Sequence, residues 1–143
     1  MESLDLAKNT VVGILKAGCK AEEFVGSTLK TSGVSLQQFN VLRILRGRKG
    51  TPANLQTVQK RMIHKMSNTT RLVDKLMEKK LVTRKICKEN RRKIEIFITD
   101  MGLEVLSQLD SKIQETEAII LQPLSLEEQK TLRNLINKIT LNR

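Results

Sequence analysis

Apolar residues follow the spacing of an α-helix everywhere except in one region of the sequence. This exception restricts the fold more than any other feature. Apolar residues recur at intervals of three and four over most of the chain. From Ile94 to Ile98 isoleucine instead occupies every second position, which is the period of a β-strand, and Val82 to Cys87 is rich in β-branched residues. The sequence therefore predicts a mainly α-helical (α+β) protein with one small β-hairpin.

Capping signals mark where the helices begin. After a long first helix, Ser35 followed by Gln38 forms a capping-box pattern that predicts a second helix over residues 35–47. Thr51 directly before Pro52 predicts the start of a third helix of about eight residues, because proline is favoured at the first helical position. Two further helices are predicted after the hairpin, the last with the apolar residues Leu132, Leu135, Ile136 and Ile139 facing inward.

The fourth helical segment, residues 66–81, separates apolar from polar residues. Its predicted apolar face consists of Met66, Thr69, Val73, Leu76 and Met77, and the opposite side carries Asn68, Arg71, Lys75 and Lys79. Two short helices joined by a tight turn and followed by a hairpin are typical of a winged helix-turn-helix. In that architecture this segment is the recognition helix.

Positive charge is concentrated in the middle of the chain. Residues 40–93 contain 17 Lys or Arg and three acidic residues, which gives this segment a net charge of +14. The whole chain has a net charge of +11, so the two flanking segments together have a net charge of −3. A basic central segment between two nearly neutral segments indicates a localised site for a polyanion, and nucleic acid is the leading candidate for that partner.

Composition excludes several other classes of protein. Three Phe, with no Trp or Tyr, argue against a protein that binds single strands by stacking bases on aromatic side chains. The apolar runs are too short to span a bilayer and the N-terminus does not resemble a signal peptide, so we expect a cytoplasmic protein with no membrane contact. His64 has no metal-ligand spacing to other residues, and no catalytic motif is present; we expect no metal, no cofactor and no enzyme activity.

The residues expected to read DNA lie at the start of the recognition helix, since the N-terminal end of such a helix reaches the base edges of the major groove. They are Lys65, Ser67, Asn68, Thr69 and Arg71, with Lys75 one turn further on. Asn can pair with adenine, Arg with guanine, and Ser or Thr with either. The alternative is that Ser67 and the threonines only cap the helix, and that Lys75, Lys79 and Lys80 form an ordinary solvated face.

The hairpin supplies a second candidate contact. With a four-residue connection, Asn90 and Arg91 lie at the tip, and Arg92 and Lys93 begin the returning strand. A basic tip held beside the recognition helix can reach the neighbouring minor groove, where narrow A·T-rich DNA attracts arginine.

Two motifs resemble the MarR family of bacterial transcription regulators. They are "TRLVDKLMEKKLVTR" from Thr70 to Arg84 and "NRRKIEIFITDMG" from Asn90 to Gly102, in the order and spacing of that family. The family's wing pattern is Asp-x-Arg followed by Leu-Thr-x-x-Gly, and this sequence departs from it at Asn90, where the family has Asp. It also has Lys80 where the family usually has Gly.

The resemblance implies a homodimeric regulator of one domain, residues 1–143. The winged helix lobe spans 35–99, and the segments 1–34 and 100–143 form dimerisation helices that place two recognition helices on an imperfect palindrome in double-stranded DNA. It also implies a small-molecule effector and, for Cys19, either a redox-sensing thiol or an inert buried one.

Two functions from different classes are compatible with these features. The first is a sequence-specific transcription regulator, with repression as the expected direction. The second is a nucleoid- or RNA-associated structural protein that binds without reading bases. Competition by random DNA separates them, because a regulator discriminates against it by about 10³ or more at physiological salt.

Overall fold

The computed structural model describes residues 1–86, 88–89 and 93–141, and its elements follow the predicted order. They are α1 (Glu2–Leu29), α2 (Leu36–Gly47), α3 (Leu55–Arg61), α4 (Thr69–Glu78), β1 (Val82–Ile86), β2 (Ile94–Ile98), α5 (Asp100–Leu121) and α6 (Leu126–Leu141). The two strands pair antiparallel, with Val82 opposite Ile98 and Ile86 opposite Ile94. The mainly helical fold with one β-hairpin is confirmed. Among the described residues, no helix is both long and apolar enough to cross a bilayer.

The chain divides into two compact units. One comprises Gly26–Ser111, with α2, α3, α4 and the hairpin, and the other comprises Met1–Val25 with Lys112–Arg143. The predicted division into a lobe of residues 35–99 flanked by dimerisation helices stays a prediction.

A small apolar core holds the Gly26–Ser111 unit together. Its fully buried side chains include one from each of four helices and one from β2: Leu42, Val58, Leu76, Leu106 and Ile96. Each is more than 98% buried, and a fully buried residue of this size contributes about 1.5–3 kcal/mol relative to an exposed one. Ile94 and Ile98, on either side of Ile96 in β2, are only half-buried, so the strand is anchored mainly through Ile96.

The start of α3 differs from the prediction. Asn54, not Thr51, caps the helix, and its side-chain oxygen accepts from the Thr57 amide at 2.8 Å. Ala53 instead pairs with Ile96 on the outer edge of β2, through N–H···O bonds of 3.2 and 2.7 Å in the two directions. Helix geometry at Ala53 would break both bonds, so this pairing moves the helix start past Pro52.

Thr99 and Gly102 form the junction between β2 and α5. The Thr99 hydroxyl accepts from the Gly102 amide at 3.0 Å and donates to the Lys80 carbonyl at 2.8 Å. A Cβ on Gly102 would overlap the Leu81 carbonyl oxygen and lie 2.7 Å from Cγ1 of Ile98. Glycine is therefore required here by close packing, and the Thr-x-x-Gly part of the wing motif has a structural role.

Apolar side chains remain exposed in the Met1–Val25 and Lys112–Arg143 unit. In the described part of the chain no residue of α6 is buried, so the prediction that Leu132, Leu135, Ile136 and Ile139 face inward is wrong for the single chain. Large exposed apolar residues on α1 include Leu4, Leu6, Val11, Val12, Ile14 and Leu15. Cys19 is also exposed on α1, which excludes the inert buried state for the single chain, while its sensing role stays a prediction.

Candidate nucleic-acid interface

Both ends of α4 are defined by hydrogen bonds. Asn68 is the N-cap, and its Oδ1 accepts from the Arg71 amide at 3.1 Å. At the other end Lys80 has φ = 65°, while the amides of Leu81 and Lys80 donate to the carbonyls of Leu76 and Met77, each at 2.9 Å. This is the Schellman motif, which normally uses glycine at the position of Lys80. The helix therefore has well-defined ends at both termini.

The connection from α3 to α4 is tied to the two preceding helices. Asn40 of α2 accepts from the Ile63 amide at 2.9 Å, and Gln59 of α3 donates to the Lys65 carbonyl at 3.3 Å. Within the connection, the Ser67 amide donates to the His64 carbonyl at 3.1 Å. Together with the Asn68 cap, these bonds hold residues 62–68 in one conformation ahead of the recognition helix.

Lys79 has a role that its sequence position did not indicate. Its ammonium group donates to the Gly33 carbonyl and to Oε1 of Gln38, the latter at 2.9 Å. The same Gln38 oxygen accepts from the Ser35 amide in the capping box of α2, at 3.1 Å. Lys79 therefore joins the C-terminal end of α4 to the N-terminal end of α2, although its side chain remains exposed.

The predicted base-reading residues fall into two groups. Lys65, Asn68, Arg71 and Lys75 are exposed, and Ser67 is half-buried. Lys75 lies 3.9 Å from Glu78 in an exposed ion pair, which is worth little in water.

The prediction that Thr69 reads a base is wrong. It is 6% exposed, so it cannot meet a base edge. Its spacing of four and seven from Val73 and Leu76 places it on the core face, a signal that was available in the sequence.

Thr70 was missed. It is exposed in the first turn of α4, next to Arg71, and its hydroxyl is a potential hydrogen-bonding group on the side that faces away from the core. Met66 is the opposite case: it was predicted to be part of the apolar face of the helix, but it lies before the helix begins and is 98% exposed.

The hairpin lies directly beside α4. Arg84 of β1 lies 3.8 Å from Asp74 of α4, an exposed ion pair between the two elements, and the Lys85 ammonium lies 5.6 Å from the centre of the Phe97 ring on β2. Lys93, which was predicted to begin the returning strand, instead precedes β2, which begins at Ile94. The length of the predicted four-residue connection stays a prediction, because part of it lies outside the described residues. Lys93 is exposed, whereas the predicted wing residues Asn90, Arg91 and Arg92 lie outside the described residues.

Exposed basic side chains are concentrated in α3, in α4 and in the connection between them. From Leu55 to Lys75 the chain contains five Lys or Arg and one acidic residue, a net charge of +4, and all five basic side chains are exposed: Lys60, Arg61, Lys65, Arg71 and Lys75. Such a cluster attracts a polyanion and releases counterions when it binds one.

Comparison with known proteins finds relatives of this arrangement. The model of the MarR family matches residues 34–94, which contain α2, α3, α4 and the hairpin strand β1 up to the start of β2. The HTH-type transcriptional regulator PecS of Dickeya dadantii (strain 3937) is 29% identical over 140 residues, or 95% of this chain and 83% of PecS. Over residues 34–94 the chain is therefore similar to the MarR family. Both similarities point to a DNA-binding transcription regulator rather than an enzyme.

Solved structures agree with the MarR fold. A cysteine-to-serine mutant of MarR from E. coli, complexed with operator DNA, superposes with a TM-score of 0.80 at 21% identity, covering 89% of this chain and 90% of that one. BpsR of Bordetella bronchiseptica, whose DNA binding is regulated by 6-hydroxynicotinic acid, superposes with a TM-score of 0.82 at 20% identity, covering 92% and 98%. The winged helix architecture predicted from the sequence is confirmed.

Proposed function

We propose that this chain acts in the cytoplasm as a homodimeric, sequence-specific repressor that binds an imperfect palindrome in double-stranded DNA. The observation that carries the proposal is the first turn of α4 and the segment before it. There Lys65, Asn68, Thr70 and Arg71 are exposed together, at the end of a helix whose opposite face is buried.

The chemistry of this surface suits the major groove. An α-helix fits the groove, and its N-terminal residues come closest to the base edges. Arg71 can donate twice to guanine, and Asn68 has a free amide group for adenine N7 although its oxygen already accepts from the Arg71 amide. Lys75, one turn further along, is better placed for a phosphate than for a base.

The wing contributes minor-groove contacts in this proposal. The hairpin is tied to α4 through the Asp74–Arg84 ion pair and the packing of β1 on the helix, which supports a tip that lies near the DNA. Arg91 and Arg92 are assigned to the minor groove and Asn90 and Lys93 to the backbone beside it. These four roles rest on residue chemistry and on the position of the hairpin in the chain.

Exposed apolar residues support self-association. In α1 and α6 they recur at intervals of three and four, as in the series Leu132, Leu135, Ile136 and Ile139. A contiguous apolar helix face is costly to leave in water and is typical of an interface. In a two-fold dimer the same face meets its own copy, and the paired recognition helices then require two related half-sites.

Repression follows from occupation of promoter DNA, and we propose that a small-molecule effector releases it. The regulation of BpsR by 6-hydroxynicotinic acid supports an effector of some kind in this family, without identifying one here.

Selection of bound sites from a random DNA pool tests the proposal. We expect one palindromic sequence that outcompetes random DNA by about 10³ or more at physiological salt. Equal competition by random DNA would instead favour a structural nucleoid- or RNA-associated protein and contradict the proposal. A reporter gene placed behind the selected site then distinguishes repression from activation.

A further inference from the structure

Met66 is the most exposed large apolar side chain of the Gly26–Ser111 unit. It is 98% exposed and lies two residues before the N-cap of α4, while nearby Ile63 is 73% exposed. Apolar side chains in a connection between helices usually pack inward, as Met62 does at 3% exposure in the same segment. The Met66 side chain is therefore available for contact with a partner.

The backbone around Met66 is held in place, so this exposure is a property of the fold. The amide of Ile63 donates to Asn40, the carbonyl of Lys65 accepts from Gln59, and the amide of Ser67 donates to the His64 carbonyl. These bonds hold the backbone on either side of Met66, whose side chain lies outside the core. In the chain Met66 is two residues before Asn68, one of the residues assigned to base reading.

Charge identifies the class of partner. The segment Leu55–Lys75 has a net charge of +4, and exposed Lys60, Arg61 and Lys65 precede Met66. An apolar side chain that follows several basic residues is suited to a polyanionic partner that also offers an apolar group. The major groove of DNA offers one such group, the C5-methyl of thymine. Methionine is long, flexible and polarizable, so it can adapt its shape to that methyl group.

We propose that Met66 contacts the C5-methyl group of a thymine in each half-site and contributes to sequence preference by apolar contact rather than by hydrogen bonding. This inference rests on the proposed function, because it requires a specific DNA site. It adds an apolar reader to a recognition surface that is otherwise polar and basic.

Replacement of thymine by deoxyuridine tests the contact, because it removes the methyl group and leaves every hydrogen-bonding atom in place. In the selected site, each thymine is replaced in turn in both half-sites, and affinity is measured by fluorescence anisotropy. We expect one position at which affinity falls about fourfold per half-site, the factor for withdrawing one methyl group from apolar contact.

Three variants assign the effect to Met66. In Met66→Ala the difference between thymine and uracil should disappear, whereas Met66→Leu should retain most of it. Met101→Ala, the same truncation at a half-exposed position on α5, should leave the difference unchanged. This double-mutant comparison isolates the pairwise contact from general effects on binding.

The outcomes distinguish this inference from the proposed function. A selected site at which no uracil substitution weakens the wild-type protein overturns the Met66 contact while leaving a specific regulator intact. Persistence of the uracil effect in Met66→Ala also overturns it. Failure to select any site contradicts the proposed function itself.

Discussion

At the scale of single residues, Gly102 shows how a motif can be recognised before its role is known. The space at its α-carbon is occupied by the Leu81 carbonyl and the Ile98 side chain. We expect Gly102→Ala to lower the free energy of unfolding by about 1–3 kcal/mol, because overpacking outweighs the gain in helix propensity.

Urea denaturation measures this change, and α2 offers a matched control. Gly47→Ala adds the same methyl group at the last residue of α2, where nothing beyond the neighbouring part of the same helix lies within 4 Å, so it should be neutral or slightly stabilising. Equal effects of the two substitutions would contradict the packing argument.

Lys80 carries a conformational cost at the end of α4. Its φ of 65° is in the left-handed region, which costs an L-residue about 1–2 kcal/mol but not glycine. Because glycine has more freedom in the unfolded chain, we expect Lys80→Gly to raise the free energy of unfolding by only about 0.5–1 kcal/mol. Lys80→Ala removes the same charge but keeps the strain, so a gain in stability there would mean that charge, not backbone conformation, is the cause.

At the scale of elements, the recognition helix combines stability and base reading in one residue. Asn68 caps α4 and also faces outward, so Asn68→Ala should lose about 1 kcal/mol of stability and relax sequence preference together. Asn68→Asp separates the two effects, since aspartate is an equally good N-cap but cannot donate to adenine N7. We expect Asp to keep the thermal midpoint while affinity and preference fall, and a fully specific Asp variant would remove Asn68 from the base-reading set.

The wing is expected to act by charge rather than by base reading. Arg92→Ala should weaken binding to specific and random DNA to a similar extent and reduce the slope of log K against log salt by about one unit, because it removes one positive charge from the DNA surface. Arg43→Ala, a matched loss of charge on α2, should leave the salt slope closer to that of the wild type. An unchanged affinity and slope for Arg92→Ala would show that the wing does not meet DNA.

At the scale of the whole molecule, the exposed apolar faces of α1 and α6 lead to a prediction about assembly. We expect the wild-type protein to sediment at twice the 16.3 kDa chain mass, because these faces are buried in a dimer. Leu135→Asp places a charge on the apolar face of α6 and should produce monomers that bind DNA much more weakly. Asn137→Asp adds the same charge to the same helix beside that face and should remain dimeric; monomers of the wild-type protein would contradict the prediction.

The sequence alone determined the order of the elements, the hairpin and several helix starts. Ser35 with Gln38 forms the predicted capping box of α2, and Ser125 with Glu128 forms the same pattern at the start of α6. Such signals can be read because the hydrogen bonds involved join residues three or four positions apart, within one turn of helix. The charge distribution was equally readable, since it needs no knowledge of which residues meet.

The tertiary structure decided the features that depend on distant residues. Ala53 pairs with Ile96, and Lys79 bonds to Gly33 and Gln38, across separations of more than 40 residues. The first pairing moved the start of α3, and the second gave Lys79 partners outside its own helix. The segment that contains Met66 is likewise joined to α2 and α3, through bonds at Ile63 and Lys65. Local periodicity contains no information about such contacts, and the fold was needed to show which side chains remain free to meet DNA.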